Sequence, residues 1–106
     1  MQDLTPTQVK RLLDEEDSAP TLLDVREANE FAYARIEGAL HIPMQTIPDR
    51  LMELNPETAY VVLCHHGMRS RMVGEFLESR GFTHIANLRG GIDAWSTEVD
   101  PAIPRY

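Results

Sequence analysis

Cysteine is nearly missing from this chain of 106 residues, since Cys64 is the single one. That excludes an internal disulfide and a four-cysteine metal cage, fits a reducing compartment, and leaves one thiol to explain. Positive charge is scarce as well: ten Lys plus Arg against seventeen Asp plus Glu leave a net charge of −7. Such a balance argues against coating nucleic acid or an anionic lipid surface, so neither nucleic acid nor membrane is expected as a partner. No apolar run nears the ~20 residues that cross a bilayer. The start, Met1-Gln2-Asp3-Leu4, has neither the basic head nor the apolar stretch of a signal peptide, and the expected location is the cytoplasm. Internal repeats and low-complexity tracts are absent too. With 42% apolar and 25% charged residues the composition is that of an ordinary globular protein. One domain, residues 1–106, is expected, burying roughly two-thirds of the surface that its unfolded chain exposes.

Helix and strand signals alternate along the chain. Thr5-Pro6-Thr7-Gln8 has capping-box spacing with proline at the first helical position, and Val9, Leu12 and Leu13 share a face, which predicts a helix over 5–17. The acidic run Asp14-Glu15-Glu16-Asp17 opposes the helix dipole and predicts fraying at that end. Thr21-Leu22-Leu23-Asp24-Val25 and Ala59-Tyr60-Val61-Val62-Leu63 read as buried strands. A helix over 27–35, a short strand over 39–42 and helical spacing of Ile47, Leu51 and Leu54 lie between them. Met72, Val73, Phe76 and Leu77 form a helical stripe expected in the core, and Gly81 ends that helix. A strand over 85–88, a Gly90-Gly91 turn and a short helix with Ile92 and a buried Trp95 close the pattern before a proline-punctuated tail, 101–106. Alternation of this kind predicts an α/β fold, a mainly parallel central sheet flanked by helices.

In such sheets sites gather beyond the carboxyl ends of the strands, and Cys64 stands where the strongest strand ends and a helix begins. A free thiol is only a few per cent ionised at neutral pH, so a working nucleophile needs its anion stabilised. Gly67 lets the backbone curl so that successive N–H groups form an anion nest, the next helix presents its positive end, and Arg69 and Arg71 add charge. The competing reading makes Cys64 a small buried hydrophobe closing a strand. Gly67, Arg69 and Ser70 in a strand-to-helix setting favour the anion-handling site, which requires a solvent-reachable thiol ringed by inward-facing amides.

The segment Cys64-His65-His66-Gly67-Met68-Arg69-Ser70 resembles the C-x-x-G-x-R-S active loop of rhodanese-like domains. Leu22-Leu23-Asp24-Val25-Arg26-Glu27 with Glu30-Phe31, then Ile36-Glu37-Gly38-Ala39-Leu40-His41-Ile42-Pro43, resemble two further signatures of that family. Gly81-Phe82 and Leu88-Arg89-Gly90-Gly91-Ile92 with Trp95 resemble its closing segment, so the similarity runs in order along nearly the whole chain. The resemblance implies a rhodanese-like three-layer fold and a sulfurtransferase of thiosulfate sulfurtransferase type. Cys64 would take a sulfane sulfur from a donor such as thiosulfate as a persulfide and pass it to a thiol or cyanide. His65, His66, Gly67, Met68, Arg69 and Ser70 would bind the sulfur anion without acting as acids or bases. Asp24 and Arg26, two apart on a strand end, resemble the family's structural pair. No cofactor and no metal is implied; a thioredoxin-like or sulfur-carrier protein is the implied acceptor.

Two rivals stand beside this reading. One is a sulfur-relay or docking module, because the ending through Trp95, Pro101 and Tyr106 looks like rhodanese domains attached to enzymes that activate ubiquitin-like sulfur carriers. The other is a cysteine-dependent phosphatase, disfavoured because the family's phosphatases resemble C-x5-R while Cys64 and Arg69 are spaced C-x4-R. Adjacent His65 and His66 do not easily converge on one metal ion. Either imidazole is expected to face solvent or, when protonated, to favour the thiolate. Arg69 is read as a bidentate sulfonate binder or as a support at the helix start, and Ser70 chiefly as a helix cap. Where the family usually has Gly-His before Ile36, this chain has Ala34-Arg35, which adds a cation of unassigned orientation.

Overall fold

Five strands, all parallel, lie side by side in a computed structural model that describes residues 1–106. In chain order they are β1 (Gln2–Leu4), β2 (Thr21–Asp24), β3 (Leu40–His41), β4 (Tyr60–Leu63) and β5 (Ile85–Leu88). Their order across the sheet is β1-β5-β4-β2-β3. The helices are α1 (Pro6–Leu13), α2 (Ala28–Tyr33), α3 (Met68–Ser79) and α4 (Gly91–Glu98). The expected α/β architecture is therefore present, and the sheet is wholly parallel.

Alternation along the central strand divides the core in two. Val62 and Cys64 belong to the cluster on the α3 face with Leu23, Val73 and Leu77. Val61 and Leu63 belong to the other, with Val9, Ile92 and Trp95 from α1 and α4. This is why β4 reads as an unbroken apolar run: both of its faces are covered.

Local chemistry accounts for the element ends. Thr5 accepts from the Gln8 N–H while the Gln8 side chain accepts from the Thr5 N–H, so the capping box is formed. α1 stops at Leu13, four residues short of the expected end, where the acidic run would have met the negative end of the dipole. The helix expected around 47–54 is instead a pair of 3₁₀ turns, Met44–Thr46 and Pro48–Glu53, the second interrupted at Arg50. Pro48 lacks the N–H that a continuous α-helix would use there. The strand β1 was not anticipated, for three residues carry no readable period; it pairs Gln2 to Ala86 through Leu4 to Leu88 at the sheet edge.

The stripe on α3 is a correction. Met72, expected in the core, is 60% exposed, and Phe76 is only partly buried. The buried line runs through Ser70, Val73, Gly74 and Leu77, at i, i+3, i+4 and i+7. Two of those four are a hydroxyl and a glycine, which a search for apolar residues passes over. Gly74 leaves room for Met1 and Ile85 against the helix.

Candidate active site

The loops that follow β2, β4 and β5 meet at the carboxyl edge of the sheet. Residues 64–67 join β4 to α3, and Gly67 at φ +112° makes the reversal that a side-chain-bearing residue would resist. Its N–H donates to Cys64 Sγ at 3.1 Å, and Ser70 Oγ stands 3.3 Å from the same sulfur. Ser70 is not the expected cap. It is the third residue of α3, buried, and its hydroxyl lies 2.5 Å from Asn87 Oδ1 on β5.

α4 fixes the loop from outside. Ile92 N–H donates to the Cys64 carbonyl at 2.9 Å and Asp93 N–H to the His65 carbonyl at 3.2 Å. A trans peptide sets its N–H opposite its C=O, so the amides of His65 and His66 are turned away from α4. No loop or cap carbonyl takes the amides of His65, His66, Met68, Arg69 or Ser70. The last three, in the first turn of α3, have no intrahelical carbonyl either, so donors and the positive helix end collect beside the sulfur. The thiol itself corrects an expectation: Cys64 is 1% exposed, because the loop and the first turn of α3 close over the end of a fully covered strand. Its neighbours are nevertheless polar, an N–H and a hydroxyl, as well as hydrocarbon.

The charged residues are arranged in pairs. Asp24 is the last residue of β2 and Arg26 lies two residues past its end, outside the strand on which the spacing placed both; the two are 0% exposed and joined at 2.7 Å. Arg69 forks onto Glu30 of α2, with Nη1 at 2.7 Å and Nη2 at 2.9 Å, and Tyr106 Oη donates to the same carboxylate at 2.8 Å. Its guanidinium is thus already engaged within the protein. The Arg69 hydrogen bonds hold the Glu30 carboxyl down at about 2, against an ordinary 4.5. A lowered carboxyl adds stability that is complete above about pH 4.5 and lost as pH falls through about 2. Arg69 is 31% exposed, so solvent reduces the contribution to about 2 kcal/mol. In chemical denaturation Glu30→Gln is therefore expected to be about 2 kcal/mol less stable than wild type at pH 6 and equal to it near pH 2.

His65 does not face solvent freely. Its ring stacks on Tyr106 at 3.9 Å with 7° between planes, and His66 tilts against its other side at 3.9 Å. Burial, then the neighbouring His66, pushes its pKa below the usual imidazole value, which makes it a neutral wall at neutral pH. His66 is exposed, and Met68 is 80% exposed beside the loop. Asp93 of α4 brings a third group to the histidines, with ligand atoms within 4.8 Å of one another. The Asp93 carboxylate is forked by Arg105 at 2.9 and 3.2 Å, so it is already engaged by a cation of the protein itself.

A family profile described as a rhodanese-like domain matches residues 5–98. The chain belongs to that family. Thiosulfate sulfurtransferase GlpE of Actinobacillus pleuropneumoniae serotype 7 (strain AP76) is 31% identical over 104 residues, covering 98% of this chain and 94% of that protein. The Arabidopsis thaliana protein named Rhodanese-like/PpiC domain-containing protein 12, chloroplastic, is 44% identical over 89 residues; the match covers 80% of this chain and 30% of that protein. The crystal structure of a rhodanese-like domain protein from Staphylococcus aureus superposes with a TM-score of 0.85 at 34% identity, covering 100% of this chain and 99% of the other.

Within this rhodanese-like domain the departure at Ala34-Arg35 has a simple outcome. Ala34 is buried, and its carbonyl accepts from Arg26 Nη2 at 2.6 Å. Arg35 is exposed, lies over the Phe31 ring and sits 3.4 Å from Glu37, so the extra cation is spent at the surface. Sequence reasoning gave no role to Glu30, Asn87, Asp3, Gly91, Asp93 or Tyr106. Glu30 and Gly91 stood inside recognised signatures, which was signal enough to question them. The others reach the loop only through tertiary contacts.

Proposed function

We propose that this rhodanese-like domain is a sulfurtransferase, working through residues 1–106 as one unit, in which Cys64 carries sulfur as a persulfide. The observation that carries the reading is the placement of Cys64 Sγ at the end of β4, bonded by Gly67 N–H, beside unpaired amides at the start of α3. The Cys64 thiolate attacks the outer sulfur of a donor such as thiosulfate. A new S–S bond forms, the donor's S–S bond breaks, and sulfite leaves with the electron pair. A thiol or cyanide then attacks the outer sulfur, and Cys64 leaves as thiolate. The persulfide is anionic at neutral pH, and backbone N–H groups can hold that charge with no proton transfer.

Because Arg69 is engaged by Glu30, the sulfonate of thiosulfate would meet amides and the helix end instead of a free guanidinium. The buried thiol requires the loop to admit its donor, which favours small sulfane donors or an extended thiol. A thioredoxin-like or sulfur-carrier protein in a reducing compartment such as the cytoplasm is the acceptor class that chemistry suits. The test is intact mass after incubation with thiosulfate. We expect a gain of one sulfur, about 32 Da, that a reducing thiol reverses and Cys64→Ala abolishes. An unchanged mass with every sulfane donor tried would overturn the reading.

A further inference from the structure

We propose that Asn87, oriented by Asp3, sets the direction of the hydrogen bond between Ser70 and Cys64, so that the resting sulfur is held as a thiol donating to Ser70. The inference rests on Cys64 being the sulfur-carrying residue, and it adds two positioning residues, neither of which touches the sulfur.

Proton counting carries it. The Asn87 side-chain NH₂ lies 3.1 Å from Asp3 Oδ1 and 3.3 Å from the Gly67 carbonyl. A carboxylate and a carbonyl can only accept, so the amide nitrogen must face them and Oδ1 must face Ser70. Asp3 stays ionised, since the hydrogen bond from Arg71 and then that from Asn87 lower its carboxyl below the ordinary value. Turning the amide over would set Oδ1 against that carboxylate and that carbonyl. Ser70 has one proton, and at 2.5 Å from Oδ1 it is given to Asn87. What Ser70 offers Cys64 at 3.3 Å is a lone pair, which the S–H fills.

Ionising Cys64 therefore breaks this arrangement. When the thiol proton leaves to solvent, Sγ faces a lone pair unless the Ser70 hydroxyl swings round to donate. That swing leaves Asn87 Oδ1 unpaired at a residue only 2% exposed, an unfavourable position for an acceptor. In a persulfide the charge resides on the outer sulfur, one S–S bond farther from Ser70. The network thus disfavours the empty thiolate more than the loaded anion, and it ties the edge strand β1 and β5 to the loop through Asp3 and Asn87.

The test uses the chain's single cysteine, which makes its S–H stretching band unambiguous. In wild type the band is expected at lower frequency than that of an unbonded thiol, and Ser70→Ala should return it to the unbonded position. In Asn87→Leu the freed Ser70 hydroxyl donates to sulfur, and the pH profile of Cys64 alkylation by iodoacetamide should move about one pH unit lower. Alkylation at neutral pH then becomes about tenfold faster. The shift should vanish in Asn87→Leu/Ser70→Ala and persist in Asn87→Leu/Ser70→Thr. A wild-type band at the unbonded frequency overturns the proposal, as does an Asn87→Leu profile matching wild type or one that moves without the hydroxyl. The infrared measurement needs no Asn87 variant to fold. Neither readout involves sulfur loading, so failure of the persulfide reading would be seen separately in the mass experiment.

Discussion

Asp24→Ala is expected to lower the stability of the fold by about 3–5 kcal/mol, roughly a fifth or more of the ~5–15 kcal/mol that a domain typically has. Arg26 is the largest fully buried side chain in the protein. Its Nε and Nη2 bond the Asp24 carboxylate at 2.7–3.1 Å, Nη2 also reaches the Ala34 carbonyl, and Nη1 reaches the Glu30 carbonyl and Tyr106 Oη. Burial pushes the guanidinium pKa down, yet the hydrogen bonds and charge of Asp24 with Tyr106 more than offset it, and the net direction is up. Removing Asp24 strands a positive charge at a position that is 0% exposed. Denaturant unfolding of Asp24→Ala and of Asp24→Leu/Arg26→Met separates charge from packing: the double variant should be the more stable of the two. A cost below about 1 kcal/mol for Asp24→Ala would mean that the pair is not structural scaffold.

Gly91→Ala is the second large effect. A Cβ there would stand 2.3 Å from the His65 carbonyl oxygen and 2.5 Å from that of Cys64, and φ is +62°. Backbone on both sides cannot turn aside as a flexible side chain would, so α4 and the Cys64 loop must part. The hydrogen bonds of Ile92 and Asp93 to those carbonyls go with them. Overpacking and the left-handed backbone together cost about 2–4 kcal/mol. A displacement of about 1 Å at the sulfur should slow sulfur loading about a hundredfold. Gly81→Ala is the control: its φ is +92° but nothing lies within 4 Å of the added carbon. Melting temperature and the rate of mass gain, measured on both, should show Gly81→Ala losing stability alone and Gly91→Ala losing both. Equal loading rates in the two variants would refute the role of the α4 contact.

Much of the fold was legible because its signals are local. The Thr5–Gln8 box, the apolar run at 60–63 and the alternation of strands and helices each depend on residues a few positions apart. Misses fell where the deciding partner is remote. The edge strand β1 exists only because β5 offers it a ladder. The burial of Ser70 and Gly74 in place of Met72 follows from how closely α3 lies on the sheet, which a list of apolar residues does not encode.

The amino-acid order by itself determined the family and the strand-to-helix setting of Cys64, since motif spacing is a property of a short segment. Tertiary structure alone decided that Arg69 is engaged by Glu30, that His65 is walled in by Tyr106, and that Ser70 turns to Asn87. It also decided that the thiol is buried. Those outcomes join residues 17 to 41 positions apart in the chain, where a hydrogen bond or a stacked ring depends on distances that only the packed sheet and helices set.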